Sequence, residues 1–125
     1  MTTGSISELP EITLYRGSDQ KIIMPSTVTI DGSAIAYESV GYLQLQYRAP
    51  DSTATPTRWT TDDGASRWDS SENAWLIPDS DSILTGSGST TFVYDLHYVD
   101  ASSNPTLVGR GGIIRVRDAN TGLSA

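Results

Sequence analysis

Three tryptophans, Trp59, Trp68 and Trp75, fall within 17 positions, interspersed with the carboxylates Asp62, Asp63 and Asp69. Flat indole faces beside acidic acceptors are the chemistry of a sugar platform: rings stack while hydroxyls donate to carboxylates. The same residues also suit core or rim packing, since each large aromatic buries about 150–250 Å². Spacings of 9 and 7 do not decide which face they share. Asp62-Asp63-Gly64 and Asp79-Ser80-Asp81-Ser82 could offer oxygens to calcium. However, the EF-hand pattern needs a third oxygen ligand, a glycine and a distal glutamate at fixed offsets. Ile83 breaks it. Solvated turn carboxylates are expected, and no metal site.

Asp95 and His97 lie two apart, so a strand would place both on one face. A nearby serine would complete a triad on paper, but in a chain where Ser and Thr fill about a quarter of positions that proximity carries no information. No G-x-S-x-G elbow is present, and paired glycosidase carboxylates need a cleft that so small a domain rarely builds. With Cys 0, thiolate chemistry, disulfides, iron–sulfur clusters and zinc sites built on cysteine are excluded, and with His 1 no transition-metal site is expected. The expectation is a protein that is not an enzyme and carries no catalytic residue and no cofactor.

Arg115 and Arg117 alternate with Ile114 and Val116, which puts both on the solvent face of a last strand; Arg110 extends them into a basic stripe. Such a stripe can protect an edge strand against unwanted pairing. It can equally dock an acidic neighbouring subunit, since arginine is enriched in interfaces. Ile6 and Leu9 are the apolar side chains of a polar N-terminal arm and are the other expected partner contacts.

The elements that must position these groups read as strands. Ile12 and Leu14 alternate with Thr13 and Tyr15, and Arg16-Gly17-Ser18-Asp19 makes a turn. Residues 21–30 resume the strand pattern but carry Pro25, which predicts a bend or a change of sheet, and Asp31-Gly32 closes them. Tyr42–Tyr47 alternates cleanly, with Leu43, Leu45 and Tyr47 on one side. Residues 58–69 read as a short hairpin through Asp62-Asp63-Gly64, and Ala74–Ile77 as a strand stopped by Pro78. Ile83 and Leu84 cap one end of the core. Thr90–Val99 is a long strand, returned by Thr106–Arg117 with a bulge at Gly109, Gly111 and Gly112. About seven short strands without helical periodicity describe an all-β fold: a single antiparallel two-sheet sandwich, immunoglobulin-like by count. A barrel of similar strand number fits the same pattern. The boundaries are an arm at 1–10, the β-sandwich domain at 11–117 and a polar tail at 118–125.

The 125 residues suit one domain. Eight Lys plus Arg against 15 Asp plus Glu leave a net charge of -7, which argues against nucleic acid and against an anionic membrane surface. The start MTTGSISELP has neither a cationic region nor an apolar run, so no secretory leader is expected.

Several segments carry a resemblance. Leu14-Tyr15-Arg16-Gly17-Ser18-Asp19 precedes an Ile/Val strand; a Trp- and Asp-rich middle follows, then Phe92-Val93-Tyr94-Asp95-Leu96 and Leu107-Val108-Gly109. This order resembles the small immunoglobulin-like β-sandwich virion proteins of tailed bacteriophages, similar to the N-terminal domain of the baseplate upper protein and related prophage modules. Ser18 between the glycine and the aspartate, and the glycine-rich Gly109–Gly112 segment, depart from that pattern. The resemblance implies a non-enzymatic virion structural protein made in the host cytoplasm. Capsid cement or decoration comes first, and a tail, neck or baseplate accessory subunit is the alternative. The implied partners are major capsid or tail proteins and further copies of the chain, a trimer in the cement case. The rival from another class is a carbohydrate-binding module using the tryptophans.

Overall fold

The computed structural model describes residues 4–5, 9–64 and 66–118, and these are nearly all β. The largest sheet holds β2 (Ile12–Arg16), β6 (Gly41–Arg48), β7 (Thr57–Thr60), β10 (Thr90–Asp100) and β11 (Pro105–Asp118). Its order is β2-β11-β10-β6-β7. A second sheet joins β3 (Gln20–Ile23), β9 (Ala74–Ile77) and β8 (Trp68–Asp69), in that order. A third, smaller sheet sets β4 (Val28–Ile30) between β1 (Gly4–Ser5) and β5 (Ser33–Ile35).

The core follows from alternation on the two larger sheets. Leu43, Leu45 and Tyr47 of β6 stand opposite Tyr98, Leu96 and Tyr94 of β10, and all six are buried. Ile22, Trp75 and Ile77 face them from the smaller sheet and belong to the same apolar cluster. Trp68 meets Trp75 edge-on with ring centroids 5.1 Å apart, and Tyr37 meets Trp68 at 6.2 Å. Such edge-to-face pairs add about 0.5–1.5 kcal/mol beyond burial. Ile83 and Leu84, on a 3₁₀ turn, close one end as the sequence suggests.

Pro25 does what a proline in a strand pattern should: β3 stops at Ile23 and the chain re-enters the third sheet at Val28. The β4–β5 hairpin turns on Asp31 and Gly32, both at positive φ, as a two-residue hairpin turn requires.

Four expectations need correction. The described residues form three sheets and eleven strands, not two sheets and about seven. A four-residue helix, α1 (Tyr37–Val40), links β5 to β6 and buries Tyr37, whose hydroxyl donates to the Pro25 carbonyl at 2.6 Å. The arrangement is not purely antiparallel, because β2 runs parallel to β11. Residues 58–69 do not make a hairpin: β7 pairs with β6 while β8 pairs with β9. The physical reason is Asp63, whose carboxylate accepts the backbone N–H groups of Ser66, Arg67 and Trp68. Satisfying three donors at one side chain lets the chain cross between sheets without a ladder.

Candidate docking face

The three tryptophans do not form an open platform. Trp59, Trp68 and Trp75 are 6%, 5% and 0% exposed. The Trp75 indole N–H donates to the Thr60 carbonyl, and the Arg67 guanidinium lies 4.6 Å from the Trp59 ring centroid. Arg67 is itself fixed by Asp81 at 2.6 Å. No indole face is left for a sugar ring, which corrects the stacking expectation for these three residues.

Asp69, Asp79 and Asp81 are engaged with the chain, while Asp62 is exposed. Asp79 accepts from Gly17 N–H while its own N–H donates to Asp19, and Asp81 caps the 3₁₀ turn through Ile83 N–H. Asp69 accepts from both the hydroxyl and the N–H of Ser71, and the hydroxyl bond leads in holding its carboxyl below the ordinary range. Among the described residues no group of three or more metal-ligating side chains converges. Asp95 and His97 share the outer face of β10, yet Asp95 Oδ1 accepts from Gly111 N–H at 3.3 Å and His97 Nδ1 is buried without a partner. No hydrogen bond links the pair, so the paper triad is not assembled.

The arginine stripe survives in altered form. Along Ile114–Asp118 β11 is not an edge strand, since β2 lies along one side of it and β10 along the other, so edge protection is not the role of Arg115 or Arg117. Arg115 pairs with Glu11 at 3.1 Å, whereas Arg110 and Arg117 are exposed. Leu9 is half-buried and packs on its own chain, against Gly109, where a Cβ would meet its side chain at 2.8 Å. Gly4 and Ser5 likewise pair with Ile30 and Thr29. Part of the arm is thus seated on the domain itself, with Leu9 packed on Gly109 of its own chain. Ile6 and the tail beyond Asp118 lie outside the described residues.

Sequence reasoning missed Arg48 and Arg58. Each follows or precedes a buried aromatic, Tyr47 or Trp59, so alternation turns it outward, onto the face that carries Arg115 and Arg117. That alternation was readable; the pairing of β6 with both β10 and β7, which gathers the arginines, was not. The β11 bulge completes the face. Two residues, Arg110 and Gly111, stand against Asp95, and Gly111 takes a φ of +77°. Gly112 lacks a Cβ because the Tyr94 ring occupies that space, and the Tyr94 hydroxyl reaches on to the Pro10 carbonyl at 2.6 Å. Beside the bulge lies an open cleft of about 540 Å³, bordered by Gln46, Arg48, Pro56, Val93, Asp95 and Arg110.

Fold and site together define an all-β, sandwich-like protein with a cationic sheet face on an acidic chain. No protein-family model matches the chain, and no curated protein matches it.

Proposed function

We propose that the chain is a non-enzymatic virion structural protein of a tailed bacteriophage or prophage, acting as a capsid cement or decoration subunit. A tail, neck or baseplate accessory position is the alternative setting for the same docking role. One observation carries the reading. The groups that could have done chemistry are folded into turns or core, while exposed, unpaired arginines gather on one sheet face. The immunoglobulin-like form of the family is supported by the strand order. With β2 as the first strand beside the last, β11-β10-β6-β7 follows a G-F-C-C′ sheet and β3-β9-β8 a B-E-D sheet. The small β1-β4-β5 sheet is an addition to that plan. Partners are then major capsid or tail proteins and neighbouring copies, with a trimer as the cement arrangement.

The test is co-sedimentation of the purified chain with particles of the phage or prophage that encodes it. Binding is expected, reduced about tenfold or more when Arg110 and Arg117 are both changed to Glu, since reversing interfacial charges costs several kcal/mol. Absence of the chain from purified particles, together with no binding to them, would overturn the assignment.

A further inference from the structure

Eight side chains carry positive charge in this chain. Arg16, Lys21, Arg67 and Arg115 are ion-paired internally with Asp118, Glu72, Asp81 and Glu11. The other four, Arg48, Arg58, Arg110 and Arg117, have no carboxylate partner among the described residues, and all four belong to the five-stranded sheet. In a chain with 15 acidic residues this is a separation of charge, not a shortage of partners. Two of the four, Arg48 and Arg110, border the cleft beside the bulge.

We infer that this cleft binds an acidic peptide segment of a partner protein, with Arg48 and Arg110 each taking one carboxylate. The strands that carry them flank β10 on either side, with Arg48 opposite Val93 and Arg110 opposite Asp95, so the two lie two strand spacings across and two residues along, roughly 12 Å apart. Acidic side chains at alternate positions of an extended peptide lie about 7 Å apart, a gap that two long arginine side chains can match. Guanidinium groups bind carboxylates through paired N–H donors. Val93 lies between them on β10 and Pro56 stands beside Arg48 on the β7 side, and both offer apolar contact. Gln46 accepts from Arg58 Nε at 3.3 Å and so keeps its amide N–H₂ available to a peptide carbonyl. Asp95 sits in the same cleft, anchored by Gly111 N–H, and the whole chain carries -7. Both features oppose a dense polyanion such as nucleic acid, whereas a peptide with spaced carboxylates can avoid Asp95.

The inference rests on the docking role proposed above, and a separate measurement tests it. Fluorescence anisotropy with a labelled Glu-Ser-Glu-Ser-Glu peptide at low ionic strength should show saturable binding that weakens as salt is added. Arg48→Ala with Arg110→Ala should weaken it about tenfold or more. Single Arg110→Gln should show an intermediate loss, and Arg117→Ala should stay within about twofold. The Arg48 and Arg110 side chains are exposed and unpaired, so circular dichroism melts of these variants should match the parent. No binding by the parent chain, unchanged binding by the double variant, or equal affinity for a single-stranded oligothymidylate would each overturn the inference. Failure here with particle binding intact would sink the peptide cleft alone; the reverse result would sink the virion setting alone.

Discussion

Arg16 and Arg110 are carried by adjacent strands of one sheet, β2 and β11, yet their surroundings are opposite. The Arg16 guanidinium is buried and donates to the carbonyls of Leu84, Thr85 and Gly88, to Thr90 Oγ1 and to Asp118 Oδ1. It ties the start of the domain to the loop after the 3₁₀ turn and to the end of the last strand. Arg110 stands on a bulge in solvent with no such acceptor. A cation wrapped in carbonyls holds the fold together; a cation left unpaired on a strongly acidic chain is free to meet something else.

The sharpest way to break that contrast is to delete each guanidinium. Arg16→Ala strands three carbonyls and a carboxylate at once and should cost about 3 kcal/mol, tempered by the half-exposed Asp118. Arg110→Ala should stay within about 0.5 kcal/mol, as expected of a surface change. Urea denaturation followed by tryptophan fluorescence measures both. Equal losses would mean that the exposed arginine also holds the structure together, and the division of labour would fail.

A smaller effect probes how the bulge region is built. Gly112→Ala forces a Cβ into the ring of Tyr94, whose hydroxyl is tied to Pro10, so the ring cannot swing away without losing that bond. Overpacking of this kind costs about 1–3 kcal/mol. Gly111→Ala meets open space, and its cost, about 1–2 kcal/mol, comes only from its positive φ. If Gly112→Ala costs less than about 0.5 kcal/mol, as an open surface position would, ring packing does not shape the bulge. A Gly112→Ala chain that keeps its fold but loses the acidic peptide would show that the bulge aims Arg110.

Much of this plan was legible in the residues. The alternation of Leu43, Leu45 and Tyr47, the Asp31-Gly32 turn, the break at Pro25 and the glycine bulge all rest on local rules of side-chain direction and backbone freedom. What escaped was set by distant partners. Whether β7 pairs forward to β8 or back to β6 depends on Asp63 satisfying three N–H groups, an economy visible only in three dimensions. The parallel pairing of β2 with β11 joins the two ends of the domain and has no local signature. The tryptophans misled for a related reason: indoles close in sequence can face solvent or core, and here both larger sheets turn them inward. Arg48 was invisible as a site residue because its meaning comes from β10 lying beside it and β11 one strand further on.

The finest test of the Arg16 region uses pH. The Gly88 N–H bond, first, and then Arg16 hold the Asp118 carboxyl below its ordinary range. A carboxylate whose folded pKa is depressed contributes stability that is complete above the unfolded value, about 3.9 for aspartate. That contribution is lost as pH falls from there through the lower folded value. The difference in urea midpoint between the parent chain and Asp118→Asn should therefore be constant near neutrality and shrink on acidification below about pH 4. Asp118 is exposed to solvent, so salt should reduce the difference as well. Arg110→Ala, lacking any such partner, should show no acid-dependent difference from the parent. A difference for Asp118→Asn that persists unchanged to low pH would mean that Asp118 acts through its shape and hydrogen bonds alone, and the ionic half of the clamp would have to be given up.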